Sequence, residues 1–376
     1  MKIVFTGGGS GGHFYPIIAV IEKCIELVER DKIFDAKFYY FAPSPYNRKL
    51  LFENGIKYQN IPSGKMHRYF TFRAPIEYLK TGVGIIKAIL SLWSVYPDAI
   101  FSKGGYGSFP TLFAAKLLRI PVILHESDSV PGRANLWAGK FAQRVALSYP
   151  EAASYFKKEK IAFTGQPVRK EILQPASRGA FEYLGLSESI PVILVMGGSQ
   201  GAGVINETIL DALPELVSRY QIIHQTGTSN ADEVEGTAAV ILEKNPFRSR
   251  YKIFGYLNDL AVRMSAGAAA LIISRAGSTI FEIAAWGIPS IIVPISDSNG
   301  DHQRKNAYNY ARAGACTVME EKNLAPHVLI AEIDRLMQNQ SERNRMKAAA
   351  VAFYKADAAE KIARELLDIA LLHEPR

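Results

Sequence analysis

The residues of this chain that could do chemistry gather in short clusters. Gly7-Gly8-Gly9-Ser10-Gly11-Gly12-His13 follows the apolar run Lys2-Ile3-Val4-Phe5-Thr6. Gly197-Gly198-Ser199-Gln200-Gly201 follows Pro191-Val192-Ile193-Leu194-Val195-Met196. Glycine lets backbone N–H groups approach a bound group, and a helix that follows points its partially positive end at it, so each turn suits a phosphate. The matched pair, half a chain apart, predicts a phosphate-bearing ligand in a cleft between two similar domains. His13 adds an ionisable ring at the mouth of the first helix. Further clusters are Ser102-Lys103-Gly104-Gly105-Tyr106-Gly107, His125-Glu126-Ser127-Asp128, Ser274-Arg275-Ala276-Gly277-Ser278-Thr279 leading to Glu282, and Asp297 through Asn306. Each stands just beyond an apolar run, where open α/β sheets carry their sites.

Those runs define the elements that must position the clusters. Strand-length apolar segments alternate with stretches of helical period, the pattern of a doubly wound parallel sheet. The first half predicts strands at 2–6, 37–42, 58–61, 98–101, 121–125, 143–147 and 161–164, and the second at 191–196, 221–226, 251–254, 269–273, 290–294 and 316–318. Ile17, Val20, Ile21, Cys24, Leu27 and Val28 recur at three- and four-residue spacing, so 15–29 reads as a helix with one buried face. Thr164-Gly165-Gln166-Pro167-Val168-Arg169 reads as a hinge. The expected fold class is therefore α/β, with two Rossmann-like doubly wound parallel-sheet domains facing across a cleft. The expected boundaries are 1–165 and 166–344, with a C-terminal helix over about 345–376 packing back on the first domain.

Composition narrows the class. Apolar residues at 48% and charged ones at 21% argue against long disordered tracts. No basic segment with an apolar core precedes the first strand, and no window reaches the roughly 18 uninterrupted apolar residues of a membrane span, so a cytoplasmic protein is expected. Cys24 and Cys316, far apart in apolar settings, read as buried thiols in a reducing compartment. The net charge of +8 calls for an acidic partner. Nucleic acid is not expected, because the basic residues are spread widely and no nucleic-acid module appears. The histidines lack metal-like spacing, so no metal is assigned. Gly7, Gly9 and Gly12 also satisfy the dinucleotide fingerprint, but strand 37–42 runs into Ala42-Pro43-Ser44 without the carboxylate that would grip a ribose.

At these clusters the chain resembles the MurG family, glycosyltransferases of the peptidoglycan pathway. Five stretches carry the resemblance: Gly7 to His13, His125 to Gly132, Gly165 to Arg169, Gly197 to Gly201, and Arg275 to Asn306. The resemblance implies the two-domain GT-B architecture. It also implies inverting transfer of N-acetylglucosamine from UDP-N-acetylglucosamine to the 4-hydroxyl of the N-acetylmuramyl unit of lipid I, the polyprenyl-linked precursor, giving lipid II. No cofactor is implied.

Carried over by position, the resemblance assigns the diphosphate to Ser199, Gln200 and the backbone of Gly277 and Ser278, with Thr279 beside them and Arg169 as a cation. Glu282 would bind the ribose hydroxyls, the backbone at Leu257 the uracil, and Gln303 with His302 the sugar ring. Ser10, Gly11, Gly12, His13, Tyr106 and Asp128 would face the reacting sugar and the acceptor. The acceptor hydroxyl must lose a proton, and a group of near-neutral pKa suits that task. His13 fits it, Glu126 and Asp128 are the alternatives, and His125 is expected to orient one of them. The family's His-Glu-Gln-Asn appears here as His125-Glu126-Ser127-Asp128, which puts a carboxylate where an amide could donate.

Residues 65–93 mix Lys65, His67, Arg68, Arg73, Lys80 and Lys87 with aromatic and aliphatic side chains. That combination suits an anionic membrane surface, and together with the lipid-anchored acceptor that the resemblance implies, peripheral attachment to the inner face of the cell membrane is expected. The competing reading is a core helix over 76–93 with an ordinary solvated edge.

Overall fold

The computed structural model describes residues 1–33, 35–65, 74–198 and 201–373. The chain divides into two compact units, one of Met1–Arg169 with Lys355–Arg376 and the other of Lys170–Tyr354.

In the first unit, seven parallel strands form one sheet: β1 (Lys2–Thr6), β2 (Lys37–Ala42), β3 (Lys57–Asn60), β4 (Ala99–Ser102), β5 (Val122–Glu126), β6 (Arg144–Leu147) and β7 (Ile161–Phe163). Their spatial order is β3-β2-β1-β4-β5-β6-β7. Side chains alternate between the two faces with period two. Ile3 and Phe5 join the buried layer under helix Gly11–Arg30, while Val4 joins the opposite layer with Ala88, Leu92 and Leu112. Apolar side chains on both faces of a strand need helices on both faces of the sheet, as observed.

The second unit repeats the plan with β8 (Val192–Met196), β9 (Gln221–Gln225), β10 (Tyr251–Phe254), β11 (Ala269–Ser274), β12 (Ser290–Ile292) and β13 (Cys316–Val318). Its order is β10-β9-β8-β11-β12-β13, again all parallel. Ile193 and Val195 face one core layer, and Val192, Leu194 and Met196 the other.

Both sheets reverse their order of growth beside the first strand, which makes a crevice at the carboxyl ends of that strand and its neighbour. In the first unit Thr6 pairs with Ser102, so the Gly7 turn and the Lys103 turn leave the sheet side by side. In the second unit Met196 pairs with Ser274, which brings the Gly197 and Arg275 turns together.

Several boundaries differ from the sequence reading. The first helix begins at Gly11, not 15, because the extended Ser10 starts it and the Ser10 carbonyl accepts from His13 N (3.1 Å) and Phe14 N (3.0 Å). His13 therefore lies in the first helical turn. The tail is two helices, Gln340–Phe353 and Ala358–His373, not one. Only the second belongs to the first unit, where Ile362, Leu366 and Ile369 enter the layer of Ile17, Ile21 and Cys24. The first unit runs to Arg169 before the chain crosses, four residues past the expected 165.

The core-helix reading of 76–93 does not hold. Helix Ala74–Val95 buries Gly84, Ala88 and Leu92, and it leaves Leu79 70%, Ile86 63% and Trp93 70% exposed. By length and composition it is the one helix among the described residues apolar enough to cross a membrane. Residues 66–73 of the predicted basic and aromatic stretch, with His67, Arg68 and Arg73, lie outside the described residues. Both cysteines are buried and free, and burial pushes each thiol well above its ordinary pKa, so neither is a ready nucleophile.

Candidate functional site

In the first unit the site grows from the helix that starts at Gly11. The hydroxyl of Ser10, the residue preceding that helix, lies 2.8 Å from His13 Nδ1. The ring sits in a slot that only glycines leave open. A Cβ on Gly8 would come within 3.1 Å of His13 Nδ1, and one on Gly105 within 3.2 Å of Nε2 and 2.9 Å of the Gly8 Cα. Gly105 also holds φ +81°, a conformation costly for other residues. Tyr106 follows, its hydroxyl 3.0 Å from where a Cβ on Gly9 would stand. Gly11 has no such room either, since its Cβ would lie 2.7 Å from the Tyr46 hydroxyl. Ser10, Gly11, Gly12, His13 and Tyr106 thus gather around one pair of turns.

The end of β5 supplies the second group, and it separates the carboxylates that the sequence left as equal alternatives. Glu126 is buried and accepts from the backbone N–H of Asp128 (2.9 Å) and Gly132 (3.1 Å) and from Asn135 Nδ2 (2.9 Å). Burial, then the Asp128 charge, pushes its pKa up to about 7. Both Glu126 oxygens are thus occupied in bracing the 126–132 loop. Asp128 is partly exposed at the loop's surface.

His125 orients neither carboxylate, contrary to expectation. Its Nε2 meets the Gly165 carbonyl at 2.9 Å and the Ser148 hydroxyl at 3.3 Å, and its Nδ1 meets Lys103 Nζ at 2.7 Å. A carbonyl only accepts, so the proton is assigned to Nε2 and Nδ1 accepts from the lysine. Burial, then the Lys103 charge, holds the ring well below its ordinary pKa, so it stays neutral. Arg169 lies in this unit with its guanidinium 3.9 Å from the Tyr15 ring centre, a cation–π stack on the first helix.

In the second unit the glycine turn after β8 has Gly198 at φ +82° and Gly201 at φ +76°. A Cβ on Gly201 would lie 2.1 Å from the Thr226 carbonyl, so only glycine fits there. Ser199 and Gln200 lie outside the described residues. Helix Gly203–Arg219 leaves this turn, and helix Thr279–Trp286 leaves the neighbouring one. Gly277 has open space where a Cβ would stand, Ser278 precedes the second helix, and Glu282 sits in its first turn, partly buried. Asn306 Nδ2 donates to the Ala276 carbonyl at 3.2 Å, and Arg275 reaches the Val293 carbonyl (3.2 Å) and Glu321 (2.6 Å), so this turn is pinned from beneath.

Leu257 buries its side chain just past β10, which leaves its backbone as the polar group there. His302 and Gln303 open helix His302–Arg312, and Gln303 Oε1 accepts from Ile295 N at 3.2 Å. The two helix amino termini and their glycine turns offer N–H groups and positive dipole ends to an anion, each worth roughly 0.3–1 kcal/mol.

Sequence reasoning missed Ser148 and Asn135, and it placed Lys103 and Gln166 in separate clusters without joining them in one site. The available signal was a lysine just after the buried strand Ala99–Ser102 and before two glycines, since such a lysine must find buried partners.

The two parallel sheets, with glycine turns at both switch points, define a pair of Rossmann-like units, and family models place both among the glycosyltransferases. The glycosyltransferase family 28 N-terminal domain matches residues 3–147 and the family 28 C-terminal domain matches residues 192–362. A Bacillus cereus protein named UDP-N-acetylglucosamine–N-acetylmuramyl-(pentapeptide) pyrophosphoryl-undecaprenol N-acetylglucosamine transferase 2 is 37% identical, over 95% of this chain and 96% of its own. A Clostridium kluyveri transferase of the same name, without the final numeral, is 35% identical over 96% and 97%. The crystal structure of Acinetobacter baumannii MurG superposes with TM-score 0.70 at 25% identity, covering 98% of this chain and 99% of that one. The chain belongs to the MurG family of N-acetylglucosamine transferases.

Proposed function

We propose that this enzyme moves N-acetylglucosamine from UDP-N-acetylglucosamine to the 4-hydroxyl of the N-acetylmuramyl unit of lipid I, forming lipid II. The observation that carries this reading is the full-length match to transferases of that name, combined with a switch-point turn that seats a histidine in a glycine slot. In the proposed step the acceptor oxygen bonds to the anomeric carbon as the bond from that carbon to the UDP oxygen breaks, with inversion. The hydroxyl proton passes to His13, and UDP leaves with one more negative charge.

Residue roles follow the two turns. On the acceptor side, Ser10 holds the His13 ring, Gly11 and Gly12 let substrate approach the backbone, and Tyr106 and Asp128 face the sugars. On the donor side, Ser199, Gln200 and the backbone of Gly277 and Ser278 take the diphosphate. Thr279 opens the second helix, Glu282 takes the ribose, Leu257 the uracil, and His302 and Gln303 the N-acetylglucosamine ring. Arg169, stacked on Tyr15, is the cation proposed to approach the diphosphate. Helix amino termini stabilise the leaving charge electrostatically.

We further propose that the apolar face of helix Ala74–Val95, with Lys80 and Lys87 on the same helix, rests on an anionic membrane surface on the cytoplasmic side. This is where a polyprenyl-anchored acceptor would be met. Each lysine or arginine near such a surface adds about 1 kcal/mol.

Product analysis tests the function. The enzyme is incubated with UDP-N-acetylglucosamine and either a lipid I analogue or diacylglycerol. Sugar transfer to the lipid I analogue is expected, and transfer to diacylglycerol alone would replace this reading with a related lipid glycosyltransferase.

A further inference from the structure

A buried lysine stands beneath the acceptor-side loops and has no role in the chemistry above. Lys103 follows β4, and three acceptors surround its Nζ: His125 Nδ1 at 2.7 Å, Gln166 Oε1 at 3.1 Å, and the Ser127 hydroxyl. An ammonium carries three donors and no acceptor, so all three N–H groups are used. The partners come from the end of β5, the loop after it, and the segment past β7. Ser148 anchors this set from just past β6, donating to Gln166 Oε1 at 3.1 Å. Lys103 itself leads into Gly104 and Gly105, both at φ +81°, and then Tyr106.

We infer that Lys103 is a positioning residue for the acceptor, setting through Ser127 the loop that presents Asp128 and through its own backbone the Gly104–Tyr106 turn beside His13. The inference rests on the proposed reading of the first unit as the acceptor side. Glu126 fastens the same loop from its other end through Asp128 N and Gly132 N, so the loop is tied at two points. A buried charge is costly unless it is paired and hydrogen-bonded, and the three acceptors with the charges of Glu126 and Asp128 meet that need.

Burial pulls the Lys103 pKa down to about 8, against the opposing pull of Glu126 and Asp128. The groups facing it are neutral His125, Ser127 and Gln166, with those two carboxylates as the nearby charges. Rising pH through about 8 therefore removes one donor from the cluster. Acceptor use should weaken on that alkaline side, while UDP binding by the second unit should not.

The test is steady-state kinetics of the full chain with UDP-N-acetylglucosamine and a short-prenyl lipid I analogue, with calorimetry of UDP binding alongside. Lys103→Met, Lys103→Arg and Ser127→Ala are compared with the parent across neutral and alkaline pH. Lys103→Met is expected to lower acceptor kcat/KM by about tenfold or more with UDP affinity unchanged, and to lose the alkaline fall near pH 8. Lys103→Arg, charged at every accessible pH, should recover part of the loss without that fall. Parental acceptor kcat/KM in Lys103→Met, or an equal loss of UDP affinity, overturns the inference. Should Lys103→Met not fold, Ser127→Ala decides: lower acceptor kcat/KM with parental UDP binding supports the inference, and a parental value overturns it. A parent that transfers no sugar to the analogue overturns the functional reading instead, and this inference with it.

Discussion

Ser10 Oγ and His13 Nδ1 stand 2.8 Å apart, one helical turn from each other, at the start of helix Gly11–Arg30. The pair engages Nδ1 and leaves the other nitrogen to act. When Nδ1 carries the proton and the serine oxygen accepts it, Nε2 is left as the basic atom, and Nε2 is the edge that faces Gly105. Ser10 therefore holds the ring by Nδ1 and can accept the proton of the tautomer a base needs, as well as beginning the helix.

Replacing His13 with glutamine should lower kcat by roughly 100-fold or more while UDP binding stays at the parental level, the loss expected when a positioned base is removed. Ser10→Ala should fall between parent and His13→Gln, because the ring remains but loses the hydroxyl that holds its Nδ1. Transfer assays with a lipid I analogue check both. A folded His13→Gln enzyme with parental turnover would move the base to Asp128.

Gly105→Ala should be damaging out of proportion to its size. The added methyl meets the Gly8 Cα at 2.9 Å and His13 Nε2 at 3.2 Å, at a φ of +81°. The backbone strain alone costs of order 1–3 kcal/mol. Both the thermal midpoint and kcat should drop. By contrast Gly277→Ala adds a methyl into open space and should leave the thermal midpoint near parental while raising the KM for UDP-N-acetylglucosamine.

Glu282→Gln tests the donor side. It keeps the shape in the first turn of helix Thr279–Trp286 and removes the charge. A lost hydrogen bond to a charged group is worth about 1.5–3 kcal/mol, so KM for the donor should rise roughly 10- to 100-fold with acceptor KM unchanged. Parental donor KM would remove Glu282 from the ribose site.

The alternation of apolar strands and helical stretches made the fold readable in the sequence, and all thirteen predicted strands lie within two residues of those observed. Strands buried on both faces carry a strong local signal, as Val192–Met196 does. Glycine turns at their ends marked the clusters for the same reason. What could not be read was long-range. Lys103, His125, Ser148 and Gln166 meet only because β4 to β7 lie side by side, and no periodicity in the chain announces that cluster. Glu126 and Asp128 looked alike two residues apart, and only the fold turned one inward. Arg169 read as part of the second domain, yet its stack on Tyr15 and the chain crossing after it place it in the first. Helix Ala74–Val95 had a pattern that fits a core helix equally well, and its exposure emerged only once the sheet showed which face was covered.

The exposed face of that helix should govern attachment to vesicles. Leu79→Glu with Ile86→Glu places two charges on positions that are 70% and 63% exposed, where folding does not depend on them. Co-sedimentation with anionic vesicles at low salt should fall sharply in the double variant while turnover of a water-soluble acceptor analogue holds. Equal sedimentation of parent and variant, or none by the parent, would sink the docking proposal.

His224 should make the second unit acid-sensitive. The ring is buried, with Nδ1 2.7 Å from the Tyr251 hydroxyl and Nε2 3.1 Å from Asn206 Oδ1. A neutral ring satisfies both, accepting from the tyrosine and donating to the amide. Burial pulls its pKa down to about 3 from an ordinary 6.5. The folded state thus refuses a proton that the unfolded chain takes up, so the ring's contribution is complete above 6.5 and is lost as pH falls towards 3. Within that window each such ring costs roughly a tenfold change in the folding equilibrium per pH unit, and neutral His125 in the first unit works in the same direction. Glu126 works the other way, since its raised pKa favours the folded state on the acid side of about 7. The thermal midpoint of the parent should fall on acidification below 6.5, and His224→Gln, less stable at neutral pH, should show a shallower fall. An identical pH slope in the two proteins would show that His224 is not a source of the acid sensitivity.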